Sequence, residues 1–263
     1  IVHEFSEDGQ LTLFHQHLRQ NNVPRTHKTI HAKSFAGTSL GKELRRELDQ
    51  DRNLTYLQYN RDLDAEFADS LFLSVSWQEQ NEVRDRLKTS SAELQGFDVG
   101  TIGLIMQLDG TSSYGAWTAG MDYYGDDVDS FKTKNGIAEI QGPVGDDATY
   151  DLFGAYANIE SELNENTNLT IGGRYTSADA QANRVEDPLT GNATSISGEW
   201  DAVVGSIRLS REILEESVFL FGGIAQGFRA PNLSDLTRLD SARTDEIETP
   251  SPNLKPEHFL THE

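Results

Sequence analysis

The sequence predicts an all-β chain: an antiparallel meander of long strands, nine complete and the start of a tenth, of the kind that walls a transmembrane barrel. Three observations carry this expectation. Apolar and polar residues alternate with a period of two over repeated runs, which is the mark of a strand with one dry face. The runs reach the roughly 9 to 11 residues that a tilted membrane strand needs, whereas soluble strands run about 5 or 6. The connections alternate between short and long, as they do in outer-membrane barrels.

Residues 70–82 alternate most cleanly, with Leu71, Leu73, Val75 and Trp77 on one face and Ser74, Ser76 and Gln78 on the other. Further runs fall near 10–18, 51–63, 97–109, 114–125, 149–161, 168–179, 199–210 and 217–228, and another starts near Glu257. Short links are expected at 64–69, 110–113, 162–167 and 211–216, and long polar loops at 19–50, 83–96, 126–148, 180–198 and 229–256.

The proposed lipid face is free of charge, as it must be when Lys or Arg at the bilayer midplane costs about 2–4 kcal/mol. Its members include Ile102/Leu104/Met106/Leu108, Trp117/Ala119/Met121/Tyr123, Leu169/Ile171/Gly173/Tyr175 and Val203/Gly205/Ile207/Leu209, while Asp122, Arg174 and Arg208 lie on the opposite face. Trp77, Trp117, Tyr123, Tyr124 and Trp200 sit toward strand ends, where interfacial girdle residues are expected. A soluble two-sheet sandwich would also alternate, and it stays as an alternative.

Composition excludes whole classes. A net charge of -21, with 43 Asp+Glu against 22 Lys+Arg, leaves nothing to neutralise phosphates, so nucleic acid is not an expected partner. No run approaches the ~20 apolar residues of a spanning helix. Cysteine is absent, so disulfides and thiolate metal sites are excluded. The first ten residues have neither a basic n-region nor an apolar core; together with a last run cut at Glu263, this suggests a chain that begins and ends within a longer protein.

The loops are uneven in charge. Residues 19–50 hold seven Lys/Arg against three Asp/Glu, and Leu40, Leu44 and Leu48 have the spacing of a short amphipathic helix packed on a barrel rim. Residues 126–148 hold six Asp/Glu against two Lys. Asp126, Asp127 and Asp129 cluster there as a candidate ligand contact. Their spacing lacks the glycine and terminal glutamate of an EF-hand, which favours a solvated loop over a Ca²⁺ site. His27 and His31, four apart in the first loop, are a second candidate contact, although no carboxylate stands at supporting spacing. His15 and His17, two apart on one strand, are expected on a polar lumen wall.

Two catalytic patterns fail. Gly37-Thr38-Ser39-Leu40-Gly41 has nucleophile-elbow spacing but lacks the preceding buried strand that the elbow requires. As a phosphate loop, the stretch 37–43 is one residue short, with Glu43 where a hydroxyl would hold Mg²⁺. No bond chemistry and no cofactor are expected.

The stretch 222–257 carries the strongest motif and four of the chain's seven prolines. A strand ends in Phe228-Arg229-Ala230-Pro231, and the chain returns through Pro250-Ser251-Pro252-Asn253-Leu254-Lys255-Pro256-Glu257. Pro231 removes a ladder donor and restricts Ala230, so the strand stops there; the later prolines keep the return extended. Arg229 offers a five-donor fork suited to a carboxylate. These two boxes resemble the FRAP and NPNL boxes of TonB-dependent outer-membrane receptors. Gln50-Asp51-Arg52 and Tyr123-Tyr124-Gly125-Asp126-Asp127 look like barrel segments of haem and siderophore members of that family. The resemblance implies a bacterial outer-membrane location and a roughly 22-stranded barrel, of which residues 1–263 would be a part without its plug and C-terminal strands. It also implies outer-membrane lipids as surroundings and TonB as a partner acting through the plug. The expected activity is energy-dependent uptake of a scarce iron complex, haem, cobalamin or similar nutrient. In the haem branch a histidine lies between the two boxes, whereas residues 232–250 contain none, and Ser251 stands where that pattern has Asn. A passive porin-like barrel is the remaining alternative.

Overall fold

Each expected strand forms, and most run well past the apolar alternation that marks them. The computed structural model describes residues 1–6, 8–36, 40–214, 217–241 and 247–263. In chain order the elements are β1 Val2–Ser6, β2 Gly9–Pro24, a 3-10 turn Thr26–Lys28, β3 Arg45–Ala65, β4 Ala68–Leu87, β5 Ala92–Ser112 and β6 Gly115–Lys134. There follow β7 Ile137–Ala138, β8 Asp146–Asn164, β9 Thr167–Glu186, β10 Ala193–Leu214, β11 Val218–Arg229, α1 Leu233–Thr237, β12 Asp240–Ser241, β13 Ile247–Glu248 and β14 Glu257–His262. One antiparallel sheet takes β1 through β6, then β8 through β11 and β14, as neighbours in sequence order; β7 folds back on β6, and β12 pairs only with β13. A single continuous sheet of this kind is not a two-layer sandwich, which removes that alternative. β1 adds a strand ahead of the expected first one, and the sheet is open, since β1 and β14 lie at its two ends.

Apart from the two-residue β7, the strands from β3 to β10 are 19 to 22 residues long. Long loops at 83–96, 126–148 and 180–198 are therefore largely overturned. Backbone donors and acceptors need partners whatever the side chains are, so the ladder continues through polar sequence until a turn ends it. Residues 88–91 close β4 on β5, with Lys88 N donating to Ser91 O at 2.8 Å. Asn135 and Gly136 close β6 on β7 with φ of 52° and 80°, the left-handed pair that a tight hairpin requires. Gly191, at φ 67°, sits in the turn between β9 and β10. At the opposite end, two residues suffice between β3 and β4, β5 and β6, and β8 and β9. The length asymmetry survives in the segments after β2 and β11 and, shortened, between β6 and β8. The helix expected over 40–48 is also overturned: Leu44 N donates to Leu87 O at 2.8 Å, and Leu48 pairs with Val23 on one side and Arg84 on the other. Two neighbouring strand edges offer more hydrogen bonds than one isolated turn of helix.

Register assigns the faces. Val75 lies opposite Leu57 and Leu104, Leu104 opposite Tyr123, and Tyr123 opposite Phe153; Tyr175 lies opposite Ala155 and Val203. This outer face forms an uncharged belt across the sheet, with Val75, Leu104, Met121, Ile171 and Val203 exposed. The inner face carries Ser74, Ser76, Asp122, Arg174 and Arg208. Trp77, Trp117 and Tyr123 lie on the outer face as expected of girdle residues, but Tyr124 and Trp200 face inward. Trp200 packs against a small inner core of Val128, Ala148, Ala180, Ala182, Val185 and Ile196 that Leu233 and Leu236 complete.

Candidate ligand-binding site on the inner face

The two proline boxes build a segment folded onto the inner wall. β11 ends at Arg229 and Pro231 is buried. Asn232 caps α1 reciprocally: its side chain accepts from Asp235 N at 2.9 Å, and Asp235 Oδ2 accepts from Asn232 N at 3.1 Å. Arg229 Nη2 lies 2.6 Å from Asp235 Oδ2 and Arg229 Nη1 lies 3.0 Å from Glu257 Oε1. The carboxylates it was expected to meet thus belong to its own loop and to the returning strand. Leu236 is 1% exposed, and Thr237 is fastened twice: its Oγ1 accepts from Gly145 N at 2.7 Å and its O accepts from Gln141 Nε2 at 2.8 Å. Gln141 Oε1 in turn accepts from Glu186 N at 2.7 Å. In the second box, Ser251 N donates to Leu236 O at 2.8 Å and Trp200 Nε1 donates to Leu254 O at 3.2 Å. Pro252, Asn253 and Leu254 are exposed and Pro256 half-buried. Phe228 faces away from this segment, its ring centroid 5.5 Å from that of His258. Sequence reasoning located the boxes but missed Trp200, Gln141 and Thr237, which hold them.

The candidate contacts are dispersed. His27 lies in the exposed 3-10 turn, and His31, also exposed, has its N bound to Thr29 Oγ1 at 3.3 Å. Asp126 faces inward and accepts from Thr101 Oγ1 at 2.6 Å. Strand parity puts Asp127 and Asp129 on the outer face, above the apolar belt, so the three carboxylates do not converge. Partial burial, with Asp146, Asp127, Asp98 and Asp147 nearby, raises the Asp129 pKa above the ordinary carboxylate value. Among the described residues, no group of three or more His, Cys, Asp or Glu gathers as a metal site. His15 and His17 face outward, not into the lumen: His15 pairs with Thr55, which lies opposite Trp77. Their Nδ1 atoms lie 2.9 Å from Thr55 Oγ1 and 2.6 Å from Asn53 Oδ1. Gly37, Thr38 and Ser39 of the elbow-like pattern lie outside the described residues.

The inner wall is polar and cross-linked. Arg174 grips Asp122 through two hydrogen bonds of 2.8 Å and lies over the Tyr156 ring, 5.7 Å from its centroid. Tyr156 OH donates to Gln107 Oε1 at 2.8 Å. Gly154 leaves the space that the guanidinium occupies, since a Cβ there would lie 1.9 Å from Arg174 Nη2. Nearer the turns that close β4 on β5, a cavity of about 380 Å³ lies between the wall of β4–β6 and the folded-in segment, lined by Arg25, Glu82, Arg84, Phe97, Lys132 and Arg238 among others.

The family model described as TonB dependent receptor-like, beta-barrel matches residues 4–263. The chain belongs to the TonB-dependent receptor β-barrel family. This TonB-dependent receptor barrel is similar in structure to the copper transporter OprC, with a TM-score of 0.75 at 14% identity over 98% of this chain and 40% of that one. It is also similar to the ferric-catecholate import receptor Fiu of E. coli K12, with a TM-score of 0.67 at 9% identity over 99% of this chain and 46% of Fiu. The receptor HasR of Serratia marcescens, solved with its hemophore HasA and heme, gives a TM-score of 0.60 at 15% identity over 97% of this chain and 46% of HasR. At such identities the likeness shows the fold alone, and the chain spans less than half the length of each. No curated protein matches the sequence. TonB-dependent receptor barrels are a family of outer-membrane receptors and transporters. Among the described residues no helix is long and apolar enough to cross a membrane, which says nothing of strands.

Proposed function

We propose that the chain is part of the barrel of a bacterial outer-membrane receptor that takes up a scarce nutrient, such as an iron complex, haem or cobalamin. The TonB complex drives this uptake through a plug domain. The observation that carries the reading is the two-faced sheet: an uncharged outer belt from β4 to β10 backed by a charged inner wall onto which α1 and residues 251–254 fold. Such a wall separates lipid from an aqueous lumen. On this reading Arg229 and the proline boxes shape the lumen, and ligand contact belongs to inner-wall and loop residues, with Asp126 facing the lumen and His27 and His31 on the first loop.

Growth assays test it. Cells expressing the full-length receptor are starved of iron or of cobalamin and offered ferric chelates, haem or cobalamin. Rescue that needs both the receptor and TonB is the expected outcome; rescue that persists without TonB would identify a passive pore instead.

A further inference from the structure

The cavity beside the folded-in segment concentrates positive charge in an otherwise acidic chain. Among the described residues four cations line it, and they come from separate parts of the fold: Arg25 follows β2, Arg84 lies on β4, Lys132 on β6 and Arg238 just after α1. Among the described residues the one carboxylate in its lining is Glu82, and Glu82 already accepts from Gln50 Nε2 at 2.7 Å. Lys132 lies 2.5 Å from Glu139 and Arg238 2.6 Å from Glu248, in ion pairs that solvent partly reaches. Pairs of that kind are weak and exchangeable, so a ligand carboxylate can replace Glu139 or Glu248 at small cost. The outer face at the same end carries the opposite charge: Asp98, Asp127 and Asp147 lie close enough to Asp129 to raise its pKa. An anion is therefore repelled outside the wall and attracted inside it, where low-dielectric walls focus the field.

We propose that this cavity binds the carboxylate groups of the transported ligand, a small polycarboxylate or its metal chelate; the assignment rests on the uptake reading above. Its size, about 380 Å³, exceeds a lone phosphate and suits a ligand that bridges several cations, with Phe97 as an apolar wall. Because Arg238 stands on the folded-in segment and Arg84 and Lys132 on the wall, the bound anion would span the two.

Titration calorimetry on the full-length receptor in detergent, at low ionic strength, uses citrate, ferric citrate and inorganic phosphate as probes. Citrate or its ferric complex should bind, and Lys132→Gln and Arg238→Gln should each weaken binding roughly tenfold or more, the usual worth of a charge-assisted hydrogen bond. Lys132→Arg should restore it, and added salt should weaken it. Arg25→Gln, outside the sheet, gives a variant that leaves the ladder intact and should also weaken binding. Absence of citrate binding, binding indifferent to Lys132→Gln, Arg238→Gln and Arg25→Gln, or phosphate binding in place of citrate would overturn the proposal. TonB-dependent uptake that Lys132→Gln leaves unchanged would sink the cavity assignment alone. Lys132-dependent citrate binding without TonB-dependent uptake would sink the receptor reading and leave the site standing.

Discussion

Arg229 carries two ion pairs, to Asp235 and Glu257, and both partners lie on the chain that it introduces. Exposed pairs contribute at most about 1 kcal/mol each. Arg229→Ala should therefore loosen α1 without unfolding the sheet, and hydrogen exchange of the 233–237 amides should quicken roughly fivefold while β5 and β6 keep their protection. Asp129 gives a second residue-scale test. Its folded-state pKa is raised above the ordinary value by partial burial and by Asp146, Asp127, Asp98 and Asp147. The folded chain then holds a proton that the unfolded chain has released, so stability falls as pH rises through that interval and stays lower at neutrality. Asp129→Asn should stabilise the sheet slightly in urea unfolding at pH 7, and the advantage should vanish at about pH 3. At this scale the sequence told which residues matter but not whom they meet. Proline and arginine chemistry announced the boxes; Asp235 is one acidic residue among 43, and nothing local distinguishes it. Asp126, Asp127 and Asp129 looked like one cluster because adjacency in sequence hides the alternation of faces.

The nine strands were legible where the outer face is apolar and the inner face polar, because the two kinds of position alternate there. Their upper halves were not, since residues such as 79–87 and 126–134 are largely polar on both faces, with only scattered apolar positions such as Val83, Val128 and Phe131, and periodicity has little to report. Only turn chemistry marks their ends. Asn135-Gly136 was readable as a hairpin and was absorbed into an expected loop instead. Leu40, Leu44 and Leu48 failed for the converse reason: spacing suggested a helix, but β2 and β4 present ladder edges that the local pattern cannot reveal. Parity predicts a sharp contrast between adjacent positions on β10. Val203 is 77% exposed on the outer face, and Val204 is inward and half-buried. Val203→Arg should cost about 2–4 kcal/mol in lipid-bilayer unfolding, whereas Val204→Arg, facing the aqueous lumen, should cost well under half of that.

For the whole molecule, the inner core joins wall to folded-in segment through few apolar residues. Leu236→Ala should cost about 2–5 kcal/mol of local packing. It should release residues 230–241 to limited proteolysis while the ladder from β3 to β10 stays intact, since that ladder does not depend on Leu236. The continuity of this ladder also has a mechanical side. β4 and β5 keep one register from Ser70 opposite Asp109 to Leu87 opposite Ala92, without a slip. Force directed along the strands loads every rung of such a pair in shear at once. Force that peels an edge opens one rung at a time. The wall is consequently stiff along its strands and compliant across them.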